Sequence, residues 1–217
     1  MDTKSSLLGR VYDRLWINKR FSAYSHSEIN LKSSYMVSPC DAEVTKIWVI
    51  HEWWELVWKH NKKVSIKRLF GDSLEHFCGY RYMSLYLRPN NRHFFVAPCD
   101  GTVSYMHVAN GRARLRGMMA LETIGIPTFK HFVEHHAAIS SIIDFWASKI
   151  WVCALWSVNV NRIHMDIGVH DIVHKWDKIW HFLLWSCILL LIPHTFELLV
   201  SEWDKITIGR EICVMSI

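Results

Sequence analysis

Three histidines and a glutamate stand close together at His131, Glu134, His135 and His136. His131 and His135, four residues apart, would share one face of a helix and could grip a metal ion. The chain runs on as Ala-Ala-Ile-Ser-Ser-Ile-Ile with no third ligand at a known spacing, so no metal is expected. His51-Glu52 does not open an HExxH motif, because Glu55 stands where the second His belongs. The six cysteines (Cys40, Cys78, Cys99, Cys153, Cys187 and Cys213) form no CxxC pair. They suggest neither a zinc site nor a disulfide framework, and are expected to be reduced, mostly in the core, as in a cytosolic protein. GxGxxG, Walker A and GxSxG sequences are all missing. The 25 Lys and Arg against 20 Asp and Glu give a net charge of +5, which suits an anionic partner. These basic residues are spread along the chain without an RNA-binding signature, so nucleic acid is not the expected partner.

The elements that must position any site read mainly as strands. Short apolar runs rich in Val, Ile and Tyr recur at residues 35–37, 44–50, 82–87, 102–108, 150–160, 182–192 and 206–215. Residues 64–70 are a helix candidate. Residues 4–20 carry Leu7, Leu8, Val11 and Leu15 at helical spacing, with Lys4, Arg10, Arg14, Lys19 and Arg20 on the polar side. That pattern predicts a peripheral amphipathic helix, docked on the core or lying on anionic lipid. The first ten residues include Asp2, Lys4 and Arg10 and do not read as a signal peptide. The longest apolar stretch, about a dozen residues around 182–193, is short of the roughly 20 that a membrane-spanning helix needs. The 217 residues, 51% hydrophobic and 21% charged, can bury a real core and exclude a disordered chain. No linker divides them, so the reading is a lead-in of residues 1–34 and one compact mainly β (α+β) domain over 35–217. One internal echo exists: Val-Ser-Pro-Cys-Asp-Ala-Glu-Val at 37–44 and Val-Ala-Pro-Cys-Asp-Gly-Thr-Val at 96–103. It indicates two similar turns or a weak duplication.

Three segments, taken in order, carry more. They are Val-Ser-Pro-Cys-Asp-Ala (37–42), Tyr-Leu-Arg-Pro-Asn-Asn-Arg-His-Phe-Phe-Val-Ala-Pro-Cys-Asp-Gly (86–101) and Lys-Trp-Asp-Lys-Ile-Trp-His-Phe-Leu-Leu-Trp-Ser-Cys-Ile-Leu-Leu-Leu-Ile-Pro (175–193). Taken singly, Asp41 is a turn former, His93 a loop histidine and Ser186 a strand serine bonded to backbone. As an ordered set, the segments resemble the phosphatidylserine decarboxylase family. The first is similar to its Ser-Pro-x-Asp-Gly turn. The second is similar to its strand ending in Pro, a His and a Pro-x-x-Gly turn. The third is similar to the Gly-Ser segment where the proenzyme cuts itself. The closing residues 203–212 are similar to the family's last hairpin, so the resemblance runs from about residue 35 to the end.

The resemblance implies a barrel-sandwich-like fold and a covalent pyruvoyl cofactor made from Ser186. Cleavage between Trp185 and Ser186 would leave a β chain of residues 1–185 and an α chain of residues 186–217. His93 would be the base and Asp41 its orienting acid. The substrate would be a phosphatidylserine-type lipid, decarboxylated to phosphatidylethanolamine in phospholipid biosynthesis. The enzyme would work from the cytoplasm, peripheral on the membrane surface. The alternative is a cleavage-dead relative that binds lipid without catalysis. A biotinyl or lipoyl carrier is disfavoured, since no Met-Lys-Met or Asp-Lys-Ala hairpin is present.

The chain departs from the family pattern in places. Long-form members carry a second His where Val96 stands, and short-form members usually have Arg there. Val133-Glu134-His135 stands where the family shows Asn-Glu-Arg. Trp185 precedes Ser186 where the family has Gly, and Trp156, Trp176, Trp180 and Trp203 also stand where Gly is expected. The composition agrees: 12 Trp against 9 Gly, where an ordinary chain of this length has roughly 15 Gly. Three explanations are open at this point. UGA codons for glycine have been read as tryptophan, or the gene has drifted, or a divergent fold accepts the indoles.

Overall fold

The structure is a computed structural model that describes residues 34–50, 55–58, 62–71, 77–88, 91, 94–110, 136–156, 164–181 and 186–215. In chain order the strands are β1 (Tyr35–Val37), β2 (Ala42–Val49), β3 (Glu55–Trp58), β4 (Lys62–Ser65), β5 (Arg81–Tyr86), β6 (Phe94–Val96), β7 (Gly101–Ala109) and β8 (Ala137–Phe145). They continue as β9 (Ser148–Trp156), β10 (His164–Met165), β11 (Ile172–Val173), β12 (Lys178–His181), β13 (Ser186–Ile192), β14 (Glu197–Leu198), β15 (Lys205–Ile206) and β16 (Glu211–Val214). A single helical turn, α1 (Lys67–Phe70), follows β4. The fold is mainly β, as the alternating apolar runs predict. The amphipathic pattern at 4–20 lies outside the described residues.

Eight strands form one antiparallel sheet in the order β11-β7-β8-β9-β13-β5-β2-β15. Two three-stranded sheets, β1-β16-β14 and β10-β12-β6, accompany it, and β3 pairs with β4. The middle of the large sheet is buried on both faces. Along β13, Ile188, Leu190 and Ile192 enter one apolar cluster with Met36, Leu85, Phe95 and Ile212. Cys187, Leu189 and Leu191 enter a second cluster with Leu69, Phe70, Tyr82 and Trp151. Side chains alternate across a strand, so a strand covered on both sides reads as an unbroken apolar run. α1 covers the second face through Leu69 and Phe70, and Phe70 stacks on Trp151 at 3.9 Å between ring centroids.

Several predicted boundaries move. The run 206–215 is not one strand: β15 ends at Ile206 and β16 begins at Glu211, with the turn around Gly209 between them. The helix candidate 64–70 splits into the end of β4 and the one turn of α1. β8 was not foreseen, because Ala-Ala-Ile-Ser-Ser-Ile-Ile has no apolar–polar alternation. All but one of its residues are buried, which removes the periodic signal. Five of the six cysteines are buried and free, as expected for core thiols, and Cys78 is exposed.

The internal echo proves to be an approximate two-fold repeat. Val37 N–H donates to Pro98 O at 2.9 Å, and Val96 N–H returns to Pro39 O at 3.0 Å. Ser38 N–H reaches Arg210 O at 2.7 Å as Ala97 N–H reaches Asp177 O at 2.8 Å. Gly209 N–H donates to Ser38 O at 2.9 Å as Trp176 N–H donates to Ala97 O at 3.1 Å. The same relation exchanges β1 with β6, β16 with β12, β14 with β10, and the two ends of the eight-stranded sheet.

Candidate active site

Asp41 closes the Pro-Cys-Asp turn that leads into β2. Its carboxylate Oδ1 accepts the Ile208 N–H at 2.8 Å, and its carbonyl accepts Asn91 Nδ2 at 3.0 Å. The turn is fixed from inside by the buried Ser38, whose Oγ donates to Cys40 O at 2.7 Å. Burial, reinforced by Asp41 and Cys187, pushes the Cys40 thiol up, so it stays protonated. In the other half of the repeat, Asp100 Oδ1 accepts the Lys175 N–H at 2.8 Å, so the two acids are held alike.

Ser186 is the first residue of β13, where it pairs with Trp156. The register relates it to Asp41. Glu43 on β2 faces Tyr86 on β5, and Tyr86 faces Cys187 on β13. At about 4.8 Å per strand spacing, Glu43 and Cys187 lie about 10 Å apart across the sheet. Both outer strands run antiparallel to β5, so the residues just before each of them leave at the same end of the sheet. Asp41, two residues before Glu43, and Ser186, one before Cys187, therefore share that end. Arg88, two residues past Tyr86, leaves there too.

A cleft of about 330 Å³ opens beside Asp41, lined also by Glu43, Arg88, Asn91, Lys205 and Thr207. Arg88 Nε donates to Glu43 Oε2 at 3.1 Å, and the guanidinium forms an ion pair with that carboxylate. The cleft offers two held acids, Asp41 and Glu43, and two cationic side chains, Arg88 and Lys205. Such a set can hold an anionic group and steer a proton. Deeper in the sheet, Thr45 Oγ1 donates to Ser84 Oγ at 3.0 Å, and Ser84 Oγ lies 3.4 Å from Cys187 Sγ. This polar ladder crosses the three strands that carry the site.

Of the residues singled out in the sequence, Asp41 and Ser186 are brought to one end of the large sheet. His93 and Trp185 lie outside the described residues. Asn91, Arg88 and Lys205 were not foreseen as site residues. The first two stand inside the quoted 86–101 segment, but only the register shows that they return to Asp41. Of the residues considered for a metal, His131, Glu134 and His135 lie outside the described residues; His136 is buried, its carbonyl accepting Arg68 Nη2 at 2.5 Å. Trp156 and Trp180 lie in strands and are not among the positive-φ residues, so their backbone asks for no glycine.

The fold is thus a mainly β domain with Asp41 and the candidate serine at one end of its large sheet. The phosphatidylserine decarboxylase family model matches residues 19–214, and the chain belongs to that family. A comparison with curated proteins returns no match.

Proposed function

We propose that this chain is a self-processing phosphatidylserine decarboxylase. The observation that carries the proposal is the placement of Asp41 and Ser186 at one end of the sheet in a chain of this family. Ser186 Oγ attacks the carbonyl carbon of residue 185. The peptide C–N bond breaks, an ester forms, and the Ser186 nitrogen becomes a free amine. Loss of the Ser186 Cα proton with departure of the residue-185 carboxylate leaves dehydroalanine. Its enamine nitrogen is then hydrolysed away as ammonia, which leaves a pyruvoyl group. The serine needs a base and the base an orienting acid, and these roles fall to His93 and Asp41. The residues present fit the group: its precursor serine opens β13 at the sheet end that Asp41 shares, and the chain supplies both acids and cations at that end. Once formed, the pyruvoyl carbonyl supplies an electron sink for removing CO2 from an amino-acid head group.

The rest is work for the chain's own side chains. Arg88 and Lys205 offer charge to the phosphate and carboxylate of the lipid. The Ile208 N–H and Asn91 hold Asp41 in place to orient the base, His93. A lipid substrate places the protein at a membrane surface. Among the described residues, no helix is long and apolar enough to cross a membrane. The competing reading, a cleavage-dead lipid binder, is favoured by Trp185, whose bulk would hinder the acyl shift. Intact mass and lipid decarboxylation on wild type and Ser186→Ala separate them. Cleavage and activity, both lost in the variant, are expected; an uncleaved, inactive wild type that still binds vesicles would overturn the proposal.

A further inference from the structure

Four non-glycine residues among the described residues have φ in the left-handed region. Three of them are tryptophan: Trp146 at 52°, Trp176 at 86° and Trp203 at 76°, beside His170 at 75°. A Cβ at such φ crowds the backbone, so glycine dominates these positions, with Asn, Asp and His the commoner exceptions. Tryptophan is not one of them.

The turns themselves show what the positions require. Residues 174–177 close with Asp177 N–H to His174 O at 2.8 Å, and residues 201–204 with Asp204 N–H to Ser201 O at 3.2 Å. Trp176 and Trp203 are the third residues of these turns. Two more turns close the same way: Tyr80 N–H to Phe77 O at 3.2 Å, and Arg210 N–H to Thr207 O at 3.1 Å. Their third residues are Gly79 at φ 80° and Gly209 at φ 84°. The two-fold repeat makes the comparison direct, because Trp176 and Gly209 donate to equivalent carbonyls, those of Ala97 and Ser38. One half of the molecule has glycine where the other has tryptophan, in the same turn and with the same φ. Trp146 is the first residue of the two-residue loop between β8 and β9, whose ends Phe145 and Ser148 pair. Tight hairpins of this length need φ > 0 there and favour glycine, asparagine or aspartate.

Trp176 is buried against Phe94, Val96 and Ile208, but the other two indoles gain little in return. Trp146 is 69% exposed and Trp203 60%. Trp151 differs in every respect: it lies in β9, fully buried and stacked on Phe70.

We infer that residues 146, 176 and 203 are glycine in the protein as its own host makes it, encoded by UGA read there as glycine. UGA and the glycine codon GGA differ in one base, and a translation that reads UGA as tryptophan would put tryptophan at such sites. Of the three explanations open from sequence, random drift does not place one residue type on left-handed turns, and tolerance does not explain the match to Gly209. The inference rests on backbone geometry and not on the decarboxylase proposal. The same codon at 185 would place glycine before Ser186, as the family has it.

Tandem mass sequencing of peptides from protein isolated from its own host tests this whether or not the chain is cut at 186. Glycine's residue mass is expected at 146, 176 and 203, and tryptophan's at 151; tryptophan's mass at 176 and 203 would overturn the inference. A chain produced with tryptophan throughout gives a second reading. Trp146→Gly and Trp203→Gly are expected to raise Tm, and Trp146→Ala and Trp203→Ala to raise it less, because only glycine relieves φ. Both side chains are largely exposed, so removing them opens no cavity. Equal effects of glycine and alanine, or a lower Tm with glycine, would contradict it.

Discussion

Asp41 is held by a backbone N–H and a side-chain amide. The Ile208 N–H fixes one carboxylate oxygen and Asn91 ties down the carbonyl of the same residue. That geometry serves a group that must orient a base and keep its charge. Asp41→Asn keeps the shape and removes the charge, and is expected to slow self-cleavage by roughly 10²–10⁴-fold, the range for losing an acid–base group. The rate of appearance of the 186–217 fragment on a gel reads this. Asn91→Ala removes one hydrogen bond from the turn and should slow the same step less than Asp41→Asn does. A rate in Asn91→Ala below that of Asp41→Asn would mean that Asn91 does more than position the turn.

The elements owe their stability to a sheet covered on both faces. Leu190 on β13 is fully buried in the larger cluster, and Leu190→Ala is expected to cost about 2–5 kcal/mol, read by urea denaturation. Gly101 opens β7 against the Asp144 carbonyl of β8, where a Cβ would overlap that oxygen. Gly101→Ala is therefore expected to cost roughly 1–3 kcal/mol through overpacking. Half of the sixteen described strands were legible because Val, Ile and Tyr runs mark them between turns. β8 was not, since burial on both faces erased its alternation. The break between β15 and β16 was hidden because Ile208 and Ile212 keep the run apolar across the Gly209 turn. Of the site, the Pro-Cys-Asp turn and the serine before an apolar strand were legible as segments. Their meeting was not, because it depends on the β13-β5-β2 register. Arg88, Asn91 and Lys205 join the cleft for the same reason. The two-fold repeat showed only in its Pro-Cys-Asp turns; its other half pairs residues 166–179 with 199–212, where Trp176 faces Gly209 and hides the likeness.

At the scale of the whole molecule, the buried thiols make stability depend on pH. Burial pushes Cys153 and Cys213 up to about 12 from an ordinary value of 9.0. A thiol that keeps its proton when folded and loses it when unfolded stabilises the fold below pH 9. That contribution is lost as pH rises from about 9 towards the raised folded values. Buried Lys175 acts oppositely: its pKa is lowered by desolvation, and it favours the fold as pH rises towards its unfolded value. The thiols outnumber it, so Tm should fall between pH 9 and 11, and Cys153→Ala should flatten that fall. A Tm that rises through this range would contradict the burial of the thiols. The central claim concerns the chain's own chemistry, and intact mass of protein from its native host tests it most directly. Two chains are predicted, the smaller covering residues 186–217 with a blocked, carbonyl-bearing N-terminus. A single uncut chain of 217 residues would contradict it.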